Sequence, residues 1–436
     1  MTYDETIDYL YSLLPVFHRQ GEIAFKADLS NILKISEYLG NPHLKFRSIH
    51  IAGTNGKGST SHFIAAILQS AGYKTGLYTS PHLKDFVERF RINGVSIEKA
   101  NIVSFINKHK AFIEHLKPSF FELSVGIAFD FFARENVDIA VIEVGLGGRL
   151  DSTNIITPIL SVITNIGFDH VNILGDTLPK IALEKAGIIK QNVPIVISER
   201  NSETEGVFIS KATEMNSEIF FASDKYRVVP NNSNNIFLQV DVYKLNKLSN
   251  EFNIYIENLE PQLFGTYQVK NLTGVLQVVE CLNNLRFDIS DDAIKNGISN
   301  VVELTSLKGR WQVLDKDPLT ICDTGHNEHG LKIVLEQIEK LNVRQKFFIL
   351  GFVKDKNVDD LLNLFPKDGI YCFTQANTPR SLPSEKLLEI AESISMSGYS
   401  IVSVNEALKF VKNLAKKDDF IYIGGSTYIV AELNDI

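Results

Sequence analysis

Short apolar runs alternate with amphipathic stretches along most of this chain. The runs FRSIHIAG, VDIAVIEVG and PILSVITNIG are rich in β-branched residues, which is typical of strands that are covered on both faces. The intervening stretches STSHFIAAILQSAGY and SIEKANIVSFINKHKAFIEHL repeat apolar residues at helical spacing, and we expect Ser96 to cap the second helix. The alternation predicts an α/β fold with a mostly parallel sheet flanked by helices.

The pattern changes twice further along the chain. Residues 223–258 are rich in Asn and Lys and carry short alternating stretches, which predict an antiparallel edge subdomain. A second series of strands and helices begins near Leu319 and is long enough for a smaller, Rossmann-like α/β domain. We therefore predict an N-terminal phosphate-loop domain over 1–300 and a C-terminal domain over 301–436, with a ligand site in the cleft between them.

Composition narrows the possible partners. The 436 residues carry a formal net charge of −8, which argues against a general nucleic-acid-binding protein. The N-terminal MTYDETIDYL lacks the pattern of a signal peptide, and no apolar run reaches the length of a membrane span. The cysteines Cys281, Cys322 and Cys372 are far apart, so we expect buried thiols rather than disulfides or a zinc site. These features predict a cytoplasmic protein.

The stretch GTNGKGST lies between a predicted strand and a predicted helix. Gly53, Gly56 and Gly58 allow several backbone N–H groups to face one point, where the helix N-terminus adds partial positive charge. Lys57 can neutralise phosphate oxygens, and Ser59 can reach phosphate or Mg²⁺. The stretch therefore predicts a phosphate-binding loop, although Gly58 departs from the pattern G-x-x-x-x-G-K-[ST].

Polar residues follow two other predicted strands. Glu143 lies in an apolar run and needs a partner, which is either a metal ion or Arg149. Asp169 and His170 follow the next strand, and His170 is a candidate metal ligand because it would lie beside Glu143. Lys185 belongs to the amphipathic stretch TLPKIALEKAGIIKQ, whose composition favours a solvated lysine.

Further candidates lie in the second domain and after one more strand. The segment ICDTGHNEHG places Asp323 and His326 at a turn from strand to helix, and KGRWQVL contains Arg310, which can bind phosphate. In the first domain, TSPHL places the Ser80 hydroxyl after another predicted strand.

Taken together, the motifs resemble one known family. GTNGKGS, TSPHL, ERFRING, FFELSVGIAFDFF, EVGLGGRLDSTN, NIGFDHVNILGDTLPKIALEKAGIIK, KGRWQVL, DTGHN and GFVKDKN occur in the order found in folylpolyglutamate synthases and dihydrofolate synthases, which are members of the Mur ligase superfamily. In that family a glycine stands between the lysine and the hydroxyl residue of the loop, as Gly58 does here. The resemblance implies an ATP-dependent ligase that adds L-glutamate to a folate or pteroate carboxylate through an acyl phosphate, and releases ADP and phosphate.

The resemblance also implies roles for single residues. It assigns the ATP site to Thr54, Asn55, Gly56, Lys57, Gly58 and Ser59, with further nucleotide contacts from Asn271, Arg310, Asp323 and His326. It assigns a first Mg²⁺ to Ser80 and Glu143, and a second to the surroundings of Glu143, His170 and Lys185, where the lysine is carbamylated in relatives. It assigns the folate or pteroate side to Phe121, Glu122, Leu150, Asp151 and Ser152. Lys57, Glu143, His170 and Lys185 would be the catalytic residues.

Two details depart from the family pattern. The family often has histidine where this chain has Tyr267 in GTYQ, and its usual DGAHN appears here as DTGHN. Neither change removes a charged group, so the departures concern contacts to adenine and ribose only.

Two other functions are compatible with parts of the pattern. One is a different Mur-type amide ligase that acts on a cell-wall nucleotide precursor. The other is a non-catalytic nucleotide-binding switch, which would need the phosphate loop but not Glu143, His170 or Lys185. For the ligase we expect a monomer with small-molecule substrates, namely ATP, L-glutamate and a folate or dihydropteroate, and no nucleic-acid or membrane partner.

Overall fold

The computed structural model describes residues 1–15, 28–231, 236–246 and 248–436. These residues form two compact units. The larger unit takes the described parts of 1–231, 239–262 and 268–306, and the smaller unit takes 236–238, 263–267 and 307–436.

The larger unit is built on a sheet in which eight strands are described. They are β1 (Arg47–Ala52), β2 (Thr75–Tyr78), β3 (Phe90–Ile92), β4 (Val95–Ser96), β5 (Ile139–Glu143), β6 (Leu160–Ile163), β7 (Ile195–Ile197) and β8 (Ile219–Phe221). Their order is β4-β3-β2-β5-β1-β6-β7-β8, and all neighbours pair in parallel except β2 with β3 and β3 with β4. The mostly parallel α/β sheet that the sequence predicts is confirmed.

The larger unit also contains helices, some of which connect these strands. They are α1 (Tyr3–Leu13), α2 (Ser30–Tyr38), α3 (Lys57–Ser70), α4 (Lys99–Leu116), α5 (Phe120–Arg134), α6 (Val171–Leu174), α7 (Leu178–Ala186), α8 (Glu205–Glu214), α9 (Gln268–Asn284), α10 (Asp291–Ser299) and α11 (Val301–Thr305). The prediction that Ser96 caps α4 is wrong, because Ser96 ends β4 and the cap position belongs to Glu98.

A small antiparallel sheet also belongs to the larger unit. Its strands are β9 (Tyr226–Pro230), β10 (Val240–Asn246) and β11 (Glu251–Leu259), in the order β11-β10-β9. It lies in the part of the chain where the Asn- and Lys-rich composition indicated short alternating strands.

The smaller unit has its own sheet and core. Its strands are β12 (Gln312–Lys316), β13 (Leu319–Cys322), β14 (Lys346–Leu350), β15 (Ile370–Phe373), β16 (Gly398–Ser400) and β17 (Phe420–Gly424), in the order β12-β13-β17-β14-β15-β16. Its helices are α12 (Glu328–Glu339), α13 (Val358–Leu362), α14 (Ser384–Ser393), α15 (Val404–Leu414) and α16 (Thr427–Glu432). Among the described strands of this sheet, only the edge strand β12 pairs antiparallel, with β13.

The strands that the β-branched runs predict are buried in the structure. Ile49 and Ile51 of β1 and all residues of β5 are buried, as expected for strands covered on both faces. All three cysteines are free and buried, which confirms the prediction for them. Within the described ranges, no helix combines the length and apolar character that a membrane span requires.

Candidate active site

The central strands bring the candidate residues to one edge of the large sheet. Strands β2, β5, β1 and β6 are consecutive and parallel, with Glu143 beside Ile51 and with Ile163 beside Ala52. The carboxyl ends of parallel strands meet at the same edge, which is where open α/β sheets hold ligands. The phosphate loop, Ser80, Glu143 and the segment that leads to His170 therefore share this edge.

Two glycines shape the phosphate loop where other residues approach it. Gly53 has a φ of +152°, and a Cβ added there would lie 1.8 Å from the Thr164 hydroxyl oxygen. Gly56 has a φ of +82° and caps α3, and a Cβ there would lie 2.3 Å from Asn271 Oδ1. Both positions require glycine because side chains neither adopt these angles readily nor fit the space.

The segment after β6 holds the loop in place. The Thr54 hydroxyl donates to the Gly167 carbonyl and accepts from the Gly167 N–H, both at 3.0 Å. Asn165 Oδ1 accepts from the Asn55 N–H at 2.8 Å, and the Thr164 hydroxyl donates to the Asn55 carbonyl at 2.6 Å. The loop is thus fixed on the side that faces β6.

Two lysines converge on one carbonyl oxygen of the loop. Lys57 Nζ donates to the carbonyls of Gly53, at 3.0 Å, and Thr54, at 3.2 Å. Lys185 Nζ donates to the same Gly53 carbonyl at 3.0 Å, although Lys185 lies 132 positions further along the chain. The two lysines therefore belong to one site.

Lys185 is only 3% exposed, so the reading of Lys185 as a solvated lysine is wrong. Burial, and to a smaller extent nearby Lys57, lower the pKa of Lys185 to about 7, while Asp169 and Asp151 oppose the shift. The sequence did carry a signal, because Ile181, Ala182 and Lys185 occupy one face of α7 at helical spacing.

Glu143 ends β5 and is 4% exposed. Its Oε2 accepts from the Ser80 N–H at 3.0 Å, which joins the ends of β5 and β2. The alternative in which Glu143 pairs with Arg149 is wrong, because the guanidinium of Arg149 pairs with Glu184 Oε1 at 2.9 Å.

The donor set at this edge suits a hard cation. Mg²⁺ prefers carboxylate and hydroxyl oxygens, and Glu143 and Ser80 supply one of each. Across the described ranges, no group of three or more His, Cys, Asp or Glu side chains is arranged to hold a metal ion. A Mg²⁺ here would therefore need additional oxygen ligands, such as those of a bound phosphate.

His170 lies where the segment after β6 turns into α6. Its φ of +49° is left-handed, and its N–H donates to Asp169 Oδ1 at 3.0 Å. Its ring Nε2 lies 3.9 Å from the same carboxylate oxygen. Asp169 also raises the pKa of Lys185, so this strand end influences the charge of that lysine, and the role of His170 as a metal ligand stays a prediction.

Asn271 reaches the loop through a residue that sequence reasoning did not select. Gln268 is fully buried and donates from Nε2 to the Ser59 hydroxyl oxygen at 3.2 Å, while its Oε1 accepts from Asn271 Nδ2 at 2.7 Å. The sequence feature that could have indicated Gln268 is its position as the glutamine of GTYQ. Gln268 thereby ties the predicted nucleotide contact to the phosphate loop.

In the smaller unit, Asp323 organises the turn that follows β13. Its Oδ2 accepts from the Tyr267 hydroxyl at 2.6 Å and from the Trp311 N–H at 2.7 Å, and its Oδ1 accepts from the Gly325 N–H at 2.7 Å. The Tyr267 hydroxyl thus has a defined partner.

The other predicted residues of the smaller unit lie close to Asp323 in the chain. His326 Nδ1 lies 3.1 Å from the Thr324 carbonyl oxygen, and Arg310 Nη1 donates to the Gly309 carbonyl at 3.1 Å. The nucleotide contacts of Arg310, Asp323 and His326 stay predictions.

The predicted folate-side residues have structural partners of their own. Glu122 forms a capping box with Ser119 at the start of α5 and also accepts from Asn31 Nδ2 at 3.3 Å. Phe121 is half-buried, and a Cβ added at Gly145 would lie 2.5 Å from its ring. Leu150, half-buried, and the buried Asp151 and Ser152 follow in the loop after β5.

Behind this loop, His50 is fully buried in the middle of β1, and burial lowers its pKa to about 3, with Lys190 adding to the shift. The unfolded chain binds a proton at this histidine below its ordinary pKa of 6.5, whereas the folded protein does not until about pH 3. The contribution of His50 to stability therefore falls as the pH drops from 6.5 towards 3.

We expect His50→Gln, which cannot titrate, to reduce the acid sensitivity of unfolding. The free energy of unfolding of the wild type should fall by about 2 kcal/mol more than that of the variant between pH 7.5 and 5. Urea unfolding at a series of pH values measures this difference, and parallel curves for the two proteins would contradict the expectation.

Known protein families and relatives match this chain over most of its length. The chain matches the family model described as Mur ligase middle domain over residues 51–279 and the model described as Mur ligase, glutamate ligase domain over residues 309–427. It is 31% identical over 427 residues to a dihydrofolate synthase/folylpolyglutamate synthase of Bacillus subtilis, and the match covers 95% of this chain and 96% of that protein.

Solved structures agree with the sequence matches. A folylpolyglutamate synthase from Thermotoga maritima superposes with a TM-score of 0.82 at 30% identity, covering 98% of this chain and 95% of the other. The E. coli FolC structure in complex with DHPP and ADP superposes with a TM-score of 0.83 at 26% identity, covering 99% and 96%.

Proposed function

The chain belongs to the folylpolyglutamate and dihydrofolate synthases of the Mur ligase family, and we propose that its ligation chemistry takes place at the sheet edge where Lys57, Lys185 and Glu143 lie. The protein is an ATP-dependent ligase that adds L-glutamate to a folate or pteroate carboxylate. The observation that carries the proposed location is the convergence of Lys57 and Lys185 on the carbonyl of Gly53.

The phosphate loop would bind the triphosphate of ATP. Its glycines and the N-terminus of α3 present N–H groups, and Lys57 adds a cation within the same loop. The carboxylate of the folate substrate attacks the γ-phosphorus, the bond to the bridging oxygen of ADP breaks, and an acyl phosphate forms. Lys57 and the loop amides stabilise the negative charge that shifts during this transfer.

Glutamate then completes the amide. Its α-amine attacks the carbonyl carbon of the acyl phosphate, a tetrahedral intermediate forms, and phosphate leaves as the amine loses a proton. Holding both reactants at one sheet edge converts this step into an effectively intramolecular reaction. Water must be kept from the site because it would hydrolyse the acyl phosphate.

Ser80, Glu143 and His170 are the residues that would hold Mg²⁺, together with Lys185 as a carbamate. Bound Mg²⁺ supplies positive charge against the phosphate oxygens. A carbamate forms from a neutral amine and CO₂, and burial, which lowers the pKa of Lys185 to about 7, supplies that neutral amine near neutral pH. The product is an anionic oxygen donor suited to a hard cation.

We expect Glu143→Gln to impair turnover more than ATP binding. The amide keeps the size of the side chain and can still accept from the Ser80 N–H, but it is a poor Mg²⁺ ligand. We expect kcat to fall by about 100-fold at ordinary Mg²⁺ concentration, with the KM for ATP changed by less than about threefold. Steady-state kinetics over a wide range of Mg²⁺ measures both constants, and wild-type kcat at low Mg²⁺ would remove Glu143 from the metal site.

Product mass spectrometry tests the function directly. The purified chain is supplied with ATP and L-glutamate together with dihydropteroate, tetrahydrofolate or a UDP-linked cell-wall precursor. A mass increase of one glutamyl residue on a pterin substrate is the expected result. Addition of glutamate to the cell-wall precursor alone, or ATP turnover that requires neither glutamate nor a pterin, would contradict the proposal.

The protein is expected to act as a monomer. Size-exclusion chromatography with light scattering checks this prediction.

A further inference from the structure

Three hydrogen-bonded polar side chains, His50, Thr153 and Asp151, form a relay from the core of the sheet to the loop after β5. His50 Nε2 lies 2.8 Å from the Thr153 hydroxyl oxygen, and that hydroxyl lies 2.5 Å from Asp151 Oδ1. All three residues are buried. They connect the middle of β1 with the loop that begins directly after Glu143.

The direction of these hydrogen bonds is determined by the groups that Asp151 binds. Asp151 Oδ1 accepts from both the N–H and the hydroxyl of Thr153, and Oδ2 accepts from the Leu146 N–H at 2.9 Å. The Thr153 hydroxyl has one hydrogen, which it donates to Asp151, so its oxygen must accept from His50. His50 therefore carries a proton on Nε2.

The carboxylate at the end of this relay closes a loop. Asp151 binds the Leu146 N–H, which joins the two ends of the turn 146–151. A Cβ added at the adjacent Gly145 would lie 2.5 Å from the ring of Phe121 and 3.2 Å from Asp151 Oδ2. Phe121 and Asp151 thus both lie close to Gly145, and a shift of Asp151 would disturb the loop against which Phe121 packs.

Packing alone does not explain a histidine at position 50. Its Nδ1 is buried and has no protein partner among the described residues, which is unfavourable relative to a satisfied group. An aliphatic residue in the same strand would avoid that cost. The feature that histidine adds is the hydrogen bond from Nε2 to Thr153.

We propose that His50 and Thr153 are positioning residues that fix Asp151 and the loop 145–152, and thereby set the affinity of the enzyme for its folate substrate. The proposal rests on the proposed function, in which Phe121 and this loop form the folate side of the site. ATP binds at the phosphate loop, which is held by Thr164, Asn165 and Gly167 instead. The relay should therefore affect one substrate and leave the other unchanged.

The test compares Thr153→Val with Thr153→Ser. Valine keeps the shape of threonine and removes the hydroxyl, whereas serine keeps the hydroxyl. Steady-state kinetics of the full-length protein give KM for the pterin substrate and for ATP, using whichever of dihydropteroate and tetrahydrofolate the wild type glutamylates. We expect Thr153→Val to raise KM for the pterin by about tenfold, to leave KM for ATP within about twofold, and Thr153→Ser to restore the low KM.

A second pair of variants changes His50, which lies at the other end of the relay. His50→Leu removes the donor, and His50→Gln retains an N–H donor. The leucine variant should raise the pterin KM in the same way, and the double variant with Thr153→Val should be no worse than Thr153→Val alone, because both break one relay. If Thr153→Val does not fold, the His50 pair gives the same comparison.

Two results would overturn the proposal. One is a pterin KM within about twofold of wild type in folded Thr153→Val or His50→Leu, which would leave the relay with a purely structural role. The other is an equal rise in the KM values for the pterin and for ATP. Phe121→Ala distinguishes a failure of the relay from a failure of the proposed folate side. An unchanged pterin KM in Phe121→Ala would show that Phe121 does not contact the folate substrate, and the proposal would fail with that assignment.

Discussion

Lys57→Ala is expected to reduce ligase turnover by at least about 100-fold while the protein stays folded. Lys57 Nζ binds carbonyl oxygens of its own loop, at Gly53 and Thr54, so its removal leaves no cavity in the apolar core. The transferring phosphoryl group, however, loses the cation that stabilises its charge. Release of ADP in the presence of all substrates measures turnover, and thermal unfolding measures the fold.

Lys74→Ala is a matched control for this variant. Lys74 lies just after the end of α3, is partly exposed and pairs with Glu135. Its removal should change turnover by less than about twofold and stability by no more than about 0.5 kcal/mol. Equal turnover in Lys57→Ala and Lys74→Ala would show that GTNGKGST is a structural turn and no phosphate site.

Lys185→Ala is expected to lose activity to a similar extent, for a different reason. Lys185 is buried at the Gly53 carbonyl, and its alanine variant would lack the proposed anionic ligand altogether. Lys180→Ala is its matched control, since Lys180 lies on the same helix, exposed and paired with Asp176. We expect the control to retain at least about half of the wild-type turnover and to change stability by no more than about 0.5 kcal/mol.

Much of the fold was predictable because its elements are local. Continuous β-branched runs gave the central strands, and glycine-rich turns followed by helical periodicity gave the phosphate loop and α3. The cap of α4 was not predictable in the same way. Ser96 and Glu98 both precede an apolar periodic stretch, and only the pairing of β4 with β3 decides where the helix begins.

The candidate site was only partly predictable, because tertiary contacts decide which polar side chains are buried. Arg149 follows Glu143 in the sequence, yet it pairs with Glu184 of α7. Lys185 resembles a surface residue until α7 packs with this face inward, next to the phosphate loop. Gln268 and His50 stand in ordinary helical and strand patterns, and their roles depend on partners that are distant in sequence.

The most direct test of the account is chemical rescue of the two lysine variants. Turnover of Lys185→Ala and Lys57→Ala is measured with and without acetate or formate, under conditions in which wild-type turnover is unaffected. If Lys185 acts as a carbamate in the site that Lys57 shares, a small carboxylate fills the space left by Lys185, and the turnover of Lys185→Ala rises by about tenfold or more. The same additive should leave Lys57→Ala inactive, because that variant lacks a cation. A fully active Lys185→Ala variant, or equal responses of the two variants to the additive, would contradict the account.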